Sequence, residues 1–77
     1  MTVQIRFFAS LRERLGVADQ AIAVAADATV ADVWRHALGD VAPPANTLVA
    51  VNMDYADFSA AVRDGDEVAF FPPVTGG

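Results

Sequence analysis

Asp64-Gly65-Asp66-Glu67-Val68-Ala69-Phe70-Phe71-Pro72-Pro73 passes from a turn, through a strand, to a stop. Asp-Gly-Asp is a strong turn signal. Glu67–Phe71 reads as a strand with Val68 and Phe70 on one face and Ala69 and Phe71 on the other. Pro72 and Pro73 end it, because proline brings no N–H to a ladder. Working outward, Thr2–Phe8 alternates in the same way, with Val3, Ile5 and Phe7 on one face and Thr2, Gln4 and Arg6 on the other. Phe8 falls on the polar side. Leu11–Leu15 is a short helical turn closed by Gly16, and Gln20–Val24 is a second strand.

Thr29-Val30-Ala31-Asp32 is a variant capping box that opens a helix over Val30–Leu38. The apolar residues Val30, Val33, Trp34, Ala37 and Leu38 share one helical face, and Gly39 is a natural stop. Pro43-Pro44 makes Val41–Asn46 a loop. Leu48–Val51 is a short strand, Asn52-Met53-Asp54 a turn, and Tyr55-Ala56 a brief pairing beyond it. Phe58 and Val62 are expected to fill the core beneath a loop. This order predicts an α+β fold: a single β-grasp domain over residues 1–71, with its first and last strands adjacent at the sheet centre. Residues 72–77 form an extended tail ending in Gly-Gly.

The chain has 77 residues, 55% of them hydrophobic, and a formal net charge of −5. That is one small domain, too apolar for disorder. Cysteine is absent, which excludes disulfides, thiolate metal sites and cysteine nucleophiles. Lysine is absent as well; the five cations are Arg6, Arg12, Arg14, Arg35 and Arg63. No apolar run approaches the roughly 18 residues of a membrane span. The N-terminus lacks the pattern of a secretory signal, so the expected compartment is the cytoplasm. The acidic balance argues against nucleic acid and membrane surfaces, and for a basic partner.

Side chains offer little chemistry. His36, the only histidine, lies off the apolar stripe and reads as a solvated helix residue. Asp64, Asp66 and Glu67 read as turn residues rather than a metal site. Ser10 and Ser59 have no second histidine to serve a triad. Two features stand out. Phe8 and Phe71 share the outer face of the sheet if their strands are neighbours, with Tyr55 near them, and clustered exposed aromatics mark a protein interface. The second is the tail, Pro72-Pro73-Val74-Thr75-Gly76-Gly77. It reaches at most about 20 Å. Its last two residues lack Cβ atoms and so pass through a narrow channel. Its tip bears the terminal carboxylate of Gly77, which suits covalent carrier chemistry after activation by another protein.

The ending Asp64–Gly77 resembles the C-terminal signature of the MoaD/ThiS sulfur-carrier family, to which molybdopterin synthase small subunits belong. Phe7-Phe8-Ala9, Leu11–Gly16 and Val49-Ala50-Val51-Asn52 with Tyr55 resemble other segments of that family. The resemblance implies a ubiquitin-like β-grasp fold. It implies that an E1-like adenylyltransferase activates Gly77 with ATP and Mg²⁺ and that a sulfur donor protein converts it to a thiocarboxylate. The carrier itself holds no cofactor and no metal. The tail, Pro72 to Gly77, then threads into the large subunit of molybdopterin synthase, whose residues perform catalysis in a heterotetramer of two small and two large subunits. There the sulfur passes to cyclic pyranopterin monophosphate during molybdenum cofactor biosynthesis. The contact surface it implies is Phe8, Tyr55 and Phe71, in agreement with the strand parity that separately pairs Phe8 with Phe71. The Pro43-Pro44 loop and the missing lysines have no counterpart in the pattern. The alternatives are a carrier for thiamine or tRNA thiolation, a ubiquitin-like modifier, and a pure interaction module with a passive tail.

Overall fold

The computed structural model describes residues 1–73. Five strands, β1 (Thr2–Phe7), β2 (Gln20–Ala23), β3 (Leu48–Val51), β4 (Asp54–Ala56) and β5 (Glu67–Phe71), form one mixed sheet in the order β2-β1-β5-β3-β4. The helices are α1 (Ala9–Leu15) and α2 (Val30–Leu38). β1 and β5 run parallel side by side, while β2 pairs with β1, and β3 with β5 and β4, antiparallel. This is the β-grasp arrangement expected from the order of elements, with the first and last strands paired in the middle.

Alternation along β1 is complete: Val3, Ile5 and Phe7 are buried, and Thr2, Gln4 and Arg6 are exposed. The register Ile5↔Val68 and Phe7↔Phe70 aligns the inward residues of β1 and β5. Helix α2 lays Val30, Val33 and Trp34 onto them. The centre is aromatic. Phe70 stacks with Phe7 at 5.6 Å and with Phe58 at 5.9 Å, and meets Trp34 edge-on at 4.9 Å. The one polar atom of Trp34 is satisfied, since its indole N–H donates to the Val41 carbonyl at 2.6 Å. That bond also anchors the loop after α2. Phe58 and Val62 pack into the core as expected; the segment between them is a turn with no helix.

The capping box is present. Thr29 Oγ1 accepts from the Asp32 N–H, and the Asp32 carboxylate accepts from the Thr29 N–H at 2.9 Å. The bonds from the Thr29 backbone and side chain hold the Asp32 carboxyl below its ordinary value of 3.8. Asp57 is lowered likewise, first by the Ser59 hydroxyl and then by the Ser59 N–H.

Four boundaries differ from expectation, one of them β4, which takes in Asp54 from the expected Asn52-Met53-Asp54 turn. β1 ends at Phe7, although the Phe8 N–H still donates to the Phe70 carbonyl at 3.0 Å. Ala9 adopts φ 51° there and turns the chain into α1, which begins two residues earlier than its apolar spacing implies. Val24 lies outside β2, yet its N–H donates to the Met1 carbonyl, so backbone pairing continues past the strand end.

Candidate functional site

The outer face of the sheet is built by parity. Residues opposite in register across the strands share a face, so Arg6, Ala69, Ala50 and Tyr55 form one row. Phe71 is two residues along from Ala69 on the same face. Phe8, at the exit of β1, meets Phe71 edge-on with ring centroids 6.4 Å apart, and Tyr55 lies 5.8 Å from Phe71 on the other side. The three aromatics singled out from sequence therefore make one cluster with Phe71 at its middle. Phe8 is 39% exposed and Tyr55 75% exposed.

Beside the cluster the sheet surface is hollow. Ala50 and Ala69 are opposite one another, and their side chains are too short to fill the row. Both are buried, overhung by the taller neighbours Arg6, Tyr55 and Phe71. The result is an open groove of about 340 Å³ whose remaining walls are Phe8, Met53 and Glu67. One end is charged. Arg6 lies 3.6 Å from both Asp19 and Glu67, and its guanidinium is 5.2 Å from the centre of the Phe8 ring. Asp19 is itself held by the Phe7 N–H at 3.1 Å.

The tail leaves from the same place. Pro72 and Pro73 follow Phe71 directly, so the chain exits beside the aromatic cluster. The sequence expectations for Val74, Thr75, Gly76 and Gly77 lie outside the described residues. Elsewhere the candidate groups are structural. The Asp64 carboxylate accepts from the Thr2 N–H at 2.8 Å, and Asp66 accepts from Asn52 and from the Arg63 N–H, both at 2.8 Å. His36 is exposed on α2. Among the described residues no cluster of three or more His, Asp or Glu side chains is arranged to hold a metal ion. No helix among them is long and apolar enough to cross a membrane.

Sequence reasoning missed the alanine floor, Met53 and Arg6. Parity alone could have put Ala69 beside Phe71. The juxtaposition with Ala50 needed the β3–β5 register, and Met53 needed the geometry of the β3–β4 turn.

Comparisons with known proteins agree with this geometry. Residues 5–77 match the model of the ThiS family. The molybdopterin synthase sulfur carrier subunit of Escherichia coli is 42% identical over 97% of this chain and 99% of its own. Among solved structures, SAMP1 of Haloferax volcanii, a small archaeal modifier protein, superposes with TM-score 0.79 at 30% identity, covering 100% of both chains. A complex of subunits 1 and 2 of the molybdopterin-converting factor from Helicobacter pylori also matches, with TM-score 0.68 at 25% identity and 100% coverage of both chains. A match that spans nearly the whole length, on a β-grasp sheet with an aromatic outer face beside its C-terminal exit, settles the family: this chain belongs to the ThiS family.

Proposed function

We propose that this chain is the sulfur-carrying small subunit of molybdopterin synthase. The observation that carries the reading is the arrangement at the end of β5. An exposed aromatic cluster adjoins the Pro72-Pro73 exit of a segment ending in Gly76-Gly77. The relationship to the Escherichia coli carrier subunit supports it. The chain supplies a docking face and a deliverable carboxylate, and its partners supply the catalysis.

In this reading an E1-like adenylyltransferase joins the Gly77 carboxylate to AMP, using ATP and Mg²⁺ and releasing pyrophosphate. Sulfide supplied by a sulfur donor protein then attacks the acyl carbon, breaks the bond to AMP and leaves a thiocarboxylate. The loaded tail enters the large subunit, where sulfur passes to cyclic pyranopterin monophosphate. Phe8, Tyr55 and Phe71 contact that subunit, and Pro72–Gly77 thread into it. The two-subunit complex from Helicobacter pylori, similar to this chain in one of its members, supports such a partner.

Intact mass spectrometry after incubation with the activating enzyme and sulfur donor tests the first stage. The expected result is exchange of one oxygen for sulfur at Gly77. Deleting Gly77 should leave Tm unchanged, because the sheet ends at Phe71, and should abolish sulfur transfer. Full transfer by the shortened chain would sink the proposal.

The similarity to SAMP1 favours a second reading, a protein modifier attached to target amines through Gly77. Having no lysine, this chain offers no side-chain amine for chains of itself. Isopeptide-linked conjugates in lysate would favour the modifier. Sulfur delivered to a thiamine precursor or to tRNA, with none reaching the pterin, would favour a carrier for those pathways.

A further inference from the structure

We propose that the hollow over Ala50 and Ala69 is a hole that receives one apolar side chain of the large subunit, of Leu, Ile or Met size, and that Met53 is its outer wall. The proposal rests on the preceding reading and deepens it, by naming the residues that decide which partner seats.

The first support is the floor. Two opposed alanines lie among the larger side chains Arg6, Phe8, Tyr55, Glu67 and Phe71. Larger side chains there would fill the groove without touching the core, because the core lies on the other side of the sheet.

The second support is Met53. β3 and β4 are joined by a two-residue turn, Asn52-Met53, with φ 51° and 73°. Such turns favour Asn followed by Gly, since both positions are left-handed. Asn52 fits the preference, and its side chain ties the turn to Asp66 and Glu67. Met53 does not fit. It is unbranched and apolar, holds a left-handed backbone, and is 90% exposed. Strain without a packing return is a mark of a residue kept for contact outside its own fold. Its side chain borders the hollow, and methionine adapts to irregular partner surfaces.

The third support is the tail, which identifies the occupant. Pro73 lies two residues beyond Phe71, and Gly77 lies four beyond Pro73. Those four residues span at most about 14 Å. A subunit that takes the Gly77 carboxylate into its own active site must therefore lie close to the Phe71 wall. Among the described residues the charged groups of the hollow gather at one end, without the convergent set that orients a small ligand. Arg6, paired with Glu67 and Asp19, caps one end, leaving an apolar recess suited to a protein side chain.

The test is the affinity of full-length wild-type, Ala69→Leu and Met53→Gly chains for the molybdopterin synthase large subunit, with Tm measured for each. Ala69→Leu fills the hole and is expected to keep its Tm and lose at least about tenfold in affinity. Met53→Gly removes the wall and relieves the turn. It is expected to match or exceed the wild-type Tm while losing about tenfold in affinity. If Ala69→Leu fails to fold, Met53→Gly decides. Wild-type affinity in a folded Ala69→Leu chain overturns the proposal, as does wild-type affinity in Met53→Gly. So does a free wild-type dimer on sedimentation that Ala69→Leu dissolves without weakening the large subunit, since the occupant would then be a second copy. Failure of the wild-type chain itself to bind overturns the carrier reading, and this proposal with it.

Discussion

Asp32 is a small residue-scale device with a readable pH signature. Its carboxyl is held low by the Thr29 backbone and side chain, so the folded state binds its proton more weakly than the unfolded chain. The stability it contributes is present above the ordinary value of 3.8 and is lost as pH falls through 3.8 toward the lower folded value. Asp57, lowered by Ser59, acts in the same window and direction. Thr29→Ala removes the cap and is expected to cost about 1 kcal/mol at neutral pH. It should also flatten part of the acid limb of a Tm-versus-pH series, leaving the parts due to Asp57 and to the Thr29 N–H bond that alanine keeps. An unchanged acid limb would show that the Thr29 hydroxyl does not bond Asp32 in solution.

At the scale of the element, β5 carries two tasks on two faces. Phe70 is fully buried against Phe7, Trp34 and Phe58. Its neighbour Phe71 points the other way, toward Phe8 and Tyr55. Phe70→Ala should cost about 3–5 kcal/mol, a large part of what a domain this small has. Phe71→Ala should leave the denaturation midpoint near wild type and weaken binding to the large subunit more than tenfold, about 1.4 kcal/mol or more. Parallel denaturant titrations and binding isotherms check both. Equal stability losses would mean that the outer cluster also holds the sheet together. Pleat geometry separates the two faces: one residue along the strand moves a side chain from the core to the outer aromatic cluster.

For the molecule as a whole, charge is the long-range property. The chain carries a formal net charge of −5. In the proposed reading the large subunit holds an anionic pterin phosphate and the C-terminal anion of this chain and so needs a basic surface, and encounter should be steered. The association rate is expected to fall several-fold as salt rises from about 50 mM to about 500 mM, with the dissociation rate changing less. Stopped-flow mixing measures both, and an association rate indifferent to salt would contradict the steering.

Much of this protein was determined locally. The parity of β1 and β5, the Thr29–Asp32 box, the Gly39 stop of α2 and the Pro72-Pro73 end of the sheet are short-range patterns, each read from a handful of neighbouring residues. They were enough to predict the β-grasp order and to put Phe8 and Phe71 on one outer face. Boundaries such as Phe8–Ala9 were less legible, because a left-handed alanine carries no sequence signal. The tertiary structure alone decided the register. Ala50 against Ala69, Arg6 between Asp19 and Glu67, and Met53 beside the hollow join residues from separated parts of the chain. Alternation specifies which face a side chain takes. Which side chain it meets across the sheet depends on how strands align as they pack one shared core, and no single segment encodes that alignment.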